Sequence, residues 1–241
     1  MGLIDIHTHI LPAIDDGAKT VEDSIALLRQ EKENGVSSVV LTPHFYPDIH
    51  ILEEYKQRCC DAFIELKKAI HGMELPEIFL GFEVQYFTGI SRCQNLDQLC
   101  FKGTHYLLLE LPFLTPLSST MLDEIVKINR DLGITVIIAH IERYRNDRLF
   151  RQLLKIIKSN DARAQISSDF IFNKDVNKTI TKLLKKNLVS YIASDTHSVK
   201  ERPVYIKNAI DSLRAKFHPQ LIACIKNGER IENALKGTNN D

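Results

Sequence analysis

Leu3-Ile4-Asp5-Ile6-His7-Thr8-His9 opens the chain with a short apolar run that ends in two histidines. Alternate residues of a β-strand face the same side, so the imidazoles of His7 and His9 leave the strand end next to each other. That spacing suits two ligands of one metal ion. An ordinary buried or surface histidine pair has the same spacing, so the rest of the chain has to decide between the two interpretations.

Further apolar runs follow, and segments with helical periodicity separate them. The predicted strands cover residues 3–7, 38–42, 78–84, 106–111, 135–140, 164–168 and 190–194. The predicted helices cover the segment from the Thr20 cap to Asn34-Gly35 and residues 52–71, 118–132, 147–159, 174–187 and 202–216. Most strands are apolar at nearly every position, which is typical of parallel strands buried on both faces. We therefore expect one α/β domain, residues 1–241, whose parallel βα units close into a barrel with the functional site at the carboxyl ends of the strands.

Composition excludes several classes of protein. The 31 basic and 31 acidic side chains give a formal net charge of zero, so no electrostatic footprint for nucleic acid or an anionic membrane is present. The five cysteines form no Cys-x-x-Cys pair, which argues against a disulfide framework and a thiolate zinc site. No basic-then-apolar leader and no run of about 20 apolar residues is found. We expect a cytoplasmic protein without membrane insertion.

Imidazoles and carboxylates stand at the ends of most predicted strands. These residues are His7, His9, His44, Glu83, Glu110, His140, Asp195 and His197. Such groups are costly to bury without a partner. Each one alone could cap a helix or form a loop salt bridge, but their recurrence at six strand ends indicates one shared partner, a metal centre.

With Asp16 added, this ordered set resembles the polymerase and histidinol phosphatase (PHP) superfamily, whose fold is a distorted (β/α)7 barrel. Three segments are more specifically similar to the bacterial CpsB/CapC family of manganese-dependent tyrosine phosphatases. They are the opening residues 7–17, the segment His140-Ile141-Glu142-Arg143-Tyr144, and Ser194-Asp195-Thr196-His197 followed by Arg202. The resemblance covers essentially the whole chain.

The resemblance implies three metal positions. They are His7, His9, Glu83 and Asp195; Glu83, Glu110 and His140; and Asp16, His44 and His197. Asp15 is an alternative to Asp16, although the family pattern points to the second aspartate. Imidazole and carboxylate ligands suit Mn²⁺, with Fe²⁺ or Zn²⁺ as alternatives. Four carboxylates and up to three divalent ions leave a net charge of about plus two, which attracts a phosphate dianion.

Arg143 and Arg202 each follow a predicted ligand within a few residues. Their guanidinium groups could hold phosphoryl oxygens bidentately, or they could form surface salt bridges. A neighbouring phosphate site favours the first role, as does the resemblance. Phe45, Tyr46 and Tyr144 also flank ligands, where they could form the wall of an aromatic substrate pocket or simply pack one loop on another.

These features together predict metal-dependent hydrolysis of a phosphate monoester, phosphotyrosine on a protein. The family implies a bacterial tyrosine autokinase of capsule or exopolysaccharide biosynthesis as the partner, and the sequence leaves a homo-oligomer open. One alternative is a small-molecule phosphatase, such as histidinol phosphatase, from the same superfamily. A second is a non-catalytic metal-binding module.

A competing motif lies near the C-terminus. Cys224 and Arg230 have the Cys-x5-Arg spacing of thiol-dependent tyrosine phosphatases, which need a phosphate-cradling loop at a helix N-terminus. Here Cys224 follows Leu221-Ile222-Ala223 on a predicted helix, and Asn227-Gly228 is predicted to be the C-terminal cap of that helix. That is the wrong end of a helix for an anion, so we interpret the spacing as chance.

Overall fold

The computed structural model describes residues 2–112 and 114–237. The strands among them are β1 (Leu3–Thr8), β2 (Val36–Leu41), β3 (His44–Phe45), β4 (Glu77–Leu80), β5 (Glu83–Gln85), β6 (Tyr106–Glu110), β7 (Thr135–Ile138), β8 (Arg163–Ser167) and β9 (Tyr191–Ala193). The α-helices are α1 (Val21–Glu33), α2 (Leu52–Ala69), α3 (Ser119–Leu132), α4 (Phe150–Lys158), α5 (Lys174–Lys185) and α6 (Ile206–Gly237). Every pairing between these strands is parallel, which confirms the predicted parallel α/β class.

The predicted strand 78–84 is broken at Gly81 into β4 and β5, and a short additional strand, β3, follows the predicted strand 38–42 after Pro43. The paired strands have the orders β1-β2-β4 and β3-β5-β6-β7-β8-β9. Pro43, between β2 and β3, has no N–H for the ladder. Gly81 lies between β4 and β5, where a Cβ would come within 2.5 Å of the Phe101 ring. Backbone hydrogen bonds still join the two neighbouring segments at these interruptions. Gly81 N–H donates to Leu41 O at 2.9 Å, and Glu83 N–H donates to Pro43 O at 3.1 Å.

The strands curl until the last one meets the first. Asp195 N–H donates to His7 O, and His9 N–H donates to Thr196 O, each at 2.9 Å. Parallel strands that curl in this way bring their carboxyl ends together on one side of the molecule. The segments that follow β1 and β9 therefore lie next to each other.

The two faces of the strands pack in separate apolar clusters. Ile4, Ile6, Val40, Leu108 and Ile137 belong to one cluster. Their strand neighbours, which include Val39, Leu107 and Leu109, belong to the larger cluster shared with the helices. Side chains alternate across a strand, so burial of both faces explains why these strands are apolar at nearly every position.

Helix α6 is much longer than predicted. The sequence predicts a helix over 202–216, whereas α6 begins at Ile206, bends at Phe217 just before Pro219, and ends at Gly237. The predicted helix C-terminal cap at Asn227-Gly228 is wrong. Gly228 lies inside α6, where a Cβ would come within 2.6 Å of Ile4 Cγ2, so this glycine permits close packing of helix on strand.

The connections between strands also differ in kind. Thr20 and Asp23 form the predicted capping box at the start of α1. Between β5 and β6 the chain forms two 3-10 helices, Ile90–Arg92 and Leu96–Leu99, in place of an α-helix. Glu124 of α3 holds this connection by accepting a hydrogen bond from Gly89 N–H at 2.9 Å. Among the helices of the described ranges, none is both long enough and apolar enough to cross a membrane.

Candidate metal centre

The fold brings the predicted ligands together on the side where the strands end. Glu110 is the last residue of β6, while His140 and Asp195 each come two residues after a strand. The interruptions at Pro43 and Gly81 also bring ligands to this side. They start β3 at His44 and β5 at Glu83, and the β3–β5 register pairs these two residues directly.

The deepest group consists of His7, His9 and Asp195. One ligand atom from each lies within 4.8 Å of the others, and all three side chains are buried. The Nε2 atoms of His7 and His9 are 3.2 Å apart. Glu83 also reaches this group, since Oε1 is 3.3 Å from His7 Nε2 and Oε2 is 3.4 Å from His9 Nε2. These are the four residues expected at the first metal position.

A second group contains Asp16, His44 and His197 together with His9, and its ligand atoms also lie within 4.8 Å of one another. Asp16 Oδ1 is 3.5 Å from His44 Nε2 and 3.4 Å from His197 Nε2. Asp15 has a different position, because its Oδ2 accepts a hydrogen bond from His9 Nδ1 at 2.7 Å and from His44 N–H at 3.1 Å. Asp16 thus faces the imidazoles, while Asp15 orients one of them.

The third group contains Glu83, Glu110 and His44. His140, which the resemblance implies at this position, lies close as well. Its Nε2 is 3.0 Å from Glu83 Oε1 and 3.2 Å from Glu110 Oε1. Glu83 therefore touches members of all three groups, as a bridging ligand would.

The residues of these groups fit a cation. Glu83 Oε2 lies 2.8 Å from His44 Nδ1 without the orientation of a hydrogen bond, so both buried atoms lack such a partner among the described residues. Buried polar atoms ordinarily have a partner, and a cation between them would supply one. Imidazole and carboxylate donors suit Mn²⁺, Fe²⁺ or Zn²⁺.

The pKa values of His140 and Asp195 also show that this site stabilises positive charge. Burial by itself would lower the pKa of His140, but the carboxylates of Glu110 and Glu83 raise it to about 9. Burial would raise the pKa of Asp195, but His7, His9 and Arg202 hold it well below its usual range. Asp195 thus remains ionised and attracts cations into a buried site.

Both predicted arginines reach these carboxylates. Arg143 Nη2 is 3.1 Å and Arg202 Nη2 is 2.8 Å from the same atom, Asp195 Oδ2. Arg143 Nη1 also lies 3.4 Å from Glu110 Oε1. Burial would lower the pKa of Arg143, but the charges of Asp195, Glu83 and Glu110 raise it. Two guanidinium groups therefore stand beside the candidate metal ligands, where a phosphoryl group could replace their contact with Asp195.

A cavity of about 400 Å³ opens above these groups. Its lining includes Asp16, His44, Glu83, Glu110, His140, Arg143, Asp195, His197 and Arg202. Tyr46 also lines it and stacks on His44, with 5.1 Å between ring centroids. Phe45 and Tyr144 are buried in the apolar core instead, so only Tyr46 of the three flanking aromatic residues contributes to the cavity wall.

Sequence reasoning missed one buried residue that touches this centre. Gln165 lies within β8, the strand whose end carries none of the predicted ligands, and its Oε1 contacts both His7 and His140. A glutamine inside the otherwise apolar run Ala164-Gln165-Ile166 was the available signal, because a buried amide requires partners.

The competing cysteine motif lies elsewhere. Cys224 is buried within α6, and its thiol contacts Val189 O at 3.5 Å. Burial raises the pKa of this thiol to about 12. The segment from Cys224 to Arg230 is continuous helix, so its backbone N–H groups are not arranged as a phosphate cradle.

Comparison with known proteins points to one family. The family described as "Capsular polysaccharide synthesis, CpsB/CapC" matches residues 3–232. Tyrosine-protein phosphatase YwqE of Bacillus subtilis is 31% identical over 231 residues, which cover 91% of this chain and 87% of that protein.

Solved structures show the same relationship. A structure of the metal-dependent tyrosine phosphatases YwqE from Bacillus subtilis and CpsB from Streptococcus pneumoniae matches with a TM-score of 0.77 and 27% identity, covering 96% of this chain and 92% of that one. A histidinol phosphate phosphatase from Lactococcus lactis matches with a TM-score of 0.55 and 14% identity over 90% of this chain and 95% of that one. The second likeness concerns the fold alone.

Proposed function

The chain belongs to the CpsB/CapC family, as its motifs predict, and on that premise we propose that it hydrolyses phosphotyrosine on a protein in a metal-dependent reaction. One observation carries the proposal. Nine of the eleven predicted ligand and arginine residues line a single cavity, and the other two, His7 and His9, lie buried in contact with Glu83 and Asp195. Hydrolysis of a phosphate monoester needs such a combination of cation ligands and phosphate-binding cations.

The ligand sets of this proposal are the three groups described above. His7, His9, Glu83 and Asp195 would hold one ion, Glu83, Glu110 and His140 a second, and Asp16, His44 and His197 a third. Mn²⁺ is the ion that we propose, since the donors are imidazoles and carboxylates. When bound at these positions, divalent ions would polarise the phosphoryl group and activate water for attack on phosphorus.

The chain's own residues bind and orient the substrate. Arg143 and Arg202 exchange their contact with Asp195 for the phosphoryl oxygens, where a planar guanidinium group can form two parallel hydrogen bonds. Tyr46 offers its ring to the aromatic leaving group, since it lines the cavity and is already stacked on His44. The phosphate end of the substrate thereby points to the carboxyl ends of the strands.

The rim of the cavity supports a protein substrate. Leu114, which lines the cavity, is 86% exposed. Phe172 ends the 3-10 helix that follows β8, and Tyr205 lies in the segment that follows β9. They are 52% and 41% exposed, and their rings are 6.2 Å apart. Exposed apolar side chains on segments that follow the strand ends are typical of a surface that contacts another protein.

The wider setting follows from the family. We propose as substrate a bacterial tyrosine autokinase of capsular polysaccharide synthesis, encountered in the cytoplasm. We further propose that residues 1–241 form one domain of the distorted (β/α)7 type. The count of seven treats β2 with β3, and β4 with β5, as single interrupted strands.

Direct turnover tests the proposal. Purified protein with Mn²⁺ should release phosphate from a phosphotyrosyl peptide with a kcat/KM at least about 100-fold above that for histidinol phosphate, and exhaustive chelation should abolish the reaction. A phosphoseryl peptide of the same sequence is the matched control and should be a much poorer substrate. Preference for histidinol phosphate would favour the small-molecule alternative, while absence of any turnover would favour a non-catalytic module.

A further inference from the structure

Strand β8 contributes no candidate ligand, yet one of its side chains contacts two of them. Gln165 is fully buried, and its Oε1 lies 2.7 Å from His140 N and 3.2 Å from His7 Nδ1. Its Nε2 is directed at Ser167 Oγ, 3.4 Å away on the same strand. One neutral amide therefore joins the end of β1 to the segment after β7.

The chemistry of these contacts determines which nitrogen of the neutral His7 ring carries the hydrogen. A backbone N–H such as that of His140 can only donate, so the atom of Gln165 that faces it must be the carbonyl oxygen. The same oxygen can then only accept from His7, which requires the proton of the neutral imidazole to reside on Nδ1. His7 Nε2 is left with a free lone pair, and this atom faces Glu83 Oε1 at 3.3 Å and Asp195 Oδ1 at 3.4 Å.

The second contact holds an unusual backbone. His140 has φ +32° and ψ +55°, a left-handed conformation that residues other than glycine rarely adopt. The β7–β8 backbone register ends at Ile138 and Ala164. Beyond that pair, the His140 N–H donates to the Gln165 side chain instead of to the backbone of β8. The Nε2 atom of His140 faces Glu83 and Glu110.

We propose that Gln165 is a positioning residue, which sets the tautomer of His7 and holds the backbone of His140 so that both imidazoles face the cation. The inference rests on the proposed function, because it concerns residues assigned there to the metal. A partner on the second nitrogen of a ligating histidine fixes the orientation of the ring. Asp15 has the corresponding place at His9. At His7 a neutral amide does this without adding a negative charge beside Glu83 and Asp195.

The test compares variants that keep or lose the acceptor oxygen. Gln165→Met retains similar length and volume without a strong acceptor, whereas Gln165→Glu retains the oxygen. We expect Gln165→Met to weaken Mn²⁺ binding in calorimetry about 10- to 100-fold. The ¹⁵N resonances of His7 in the metal-free protein should shift from the Nδ1–H tautomer to a mixture. Gln165→Glu keeps an acceptor oxygen, so its Mn²⁺ affinity should stay within about threefold of that of the unsubstituted protein.

Ile166→Val is the matched control, because it loosens the packing of the same strand without touching a candidate ligand. It should leave Mn²⁺ affinity and the His7 tautomer unchanged. Unaltered Mn²⁺ affinity and tautomer in Gln165→Met would overturn the assignment. If Gln165→Met does not fold, Gln165→Glu decides alone, and loss of affinity as large as tenfold in that variant would also overturn it. Failure of the unsubstituted protein to bind Mn²⁺ or to hydrolyse phosphotyrosine would instead contradict the proposed function.

Discussion

Two regions of this chain carry the residue types of a tyrosine phosphatase, and they line cavities of very different size, about 400 Å³ at the candidate metal centre and about 20 Å³ beside Cys224. His140 and Arg143 follow β7 and line the cavity with the other candidate ligands. Cys224 and Arg230 lie six positions apart within α6, where the cysteine packs against the strands and the arginine is exposed. Spacing along the chain therefore identifies a site only when the fold presents those residues at the end of a strand or the start of a helix.

The electrostatic environments of the two regions differ as well, because carboxylates surround His140 whereas apolar burial dominates around Cys224. The carboxylates around His140 draw positive charge into the cavity and raise the pKa of that imidazole to about 9. Apolar burial around Cys224 raises the pKa of the thiol to about 12, so the thiol stays protonated at neutral pH. Since the thiolate is the nucleophile, Cys224 is inert where it lies.

The largest expected effect is on the ligands of the first region. His140→Ala should lower kcat/KM for a phosphotyrosyl peptide at least about 100-fold, equivalent to about 2.7 kcal/mol of transition-state stabilisation. The reason is the loss of an imidazole that faces both Glu83 and Glu110. Steady-state kinetics at fixed Mn²⁺, with circular dichroism as the check of folding, measures the effect.

His71→Ala is the matched control, because His71 is an exposed imidazole in the connection after α2. It should leave kcat/KM within about twofold of the unsubstituted protein, as surface substitutions away from a site usually do. Near-normal turnover by His140→Ala would show that this residue is not part of the metal centre. The His140 region would then have no more claim to activity than the Cys224 region.

An intermediate effect is expected for the arginines. Arg143→Lys and Arg202→Lys should each lower kcat/KM at least about tenfold, or about 1.4 kcal/mol, because an ammonium group cannot reproduce a bidentate guanidinium contact. Arg230→Lys, from the cysteine region, should change kcat/KM by less than about twofold. Kinetics and metal analysis of the same preparations separate binding of phosphate from binding of metal. Reduced metal content in Arg202→Lys would assign that arginine a structural role.

The smallest expected effect on activity is that of Cys224→Ser. This variant should retain most phosphotyrosine hydrolysis, since the thiol lies within a helix and outside the cavity lining. Stability should fall by about 1 kcal/mol, because a buried hydroxyl is more costly than a buried thiol even with Val189 O as an acceptor. Urea denaturation and peptide turnover give both values. Complete inactivation with metals still bound would restore the thiol mechanism.

Prediction from the sequence succeeded where a property is local. The capping box of Thr20 and Asp23 is confirmed, because it depends on residues three positions apart. The apolar strands and their polar ends were also recognisable, since side-chain alternation and burial on both faces leave a direct pattern. The family was recognisable for the same reason, as its motifs are short segments at these strand ends.

Prediction failed where a property depends on distant neighbours. Gly228 has the local pattern of a helix C-terminal cap, but close packing on Ile4 keeps it inside α6. Gln165 has no neighbour in sequence that suggests its role, because its two partners lie 158 and 25 residues away. The breaks at Pro43 and Gly81 that place His44 opposite Glu83 likewise depend on the sheet as a whole.

The sequence by itself determined which residue types stand at the ends of the strands and in what order, since strand periodicity and the cost of burying charge act on short segments. Only the tertiary structure decided which of these groups face one another. Asp15 and Asp16 are adjacent and chemically identical, yet one hydrogen-bonds His9 and the other faces His44 and His197. The physical reason is that each orientation depends on imidazoles from strands far apart in the chain, which meet only when the parallel sheet curls.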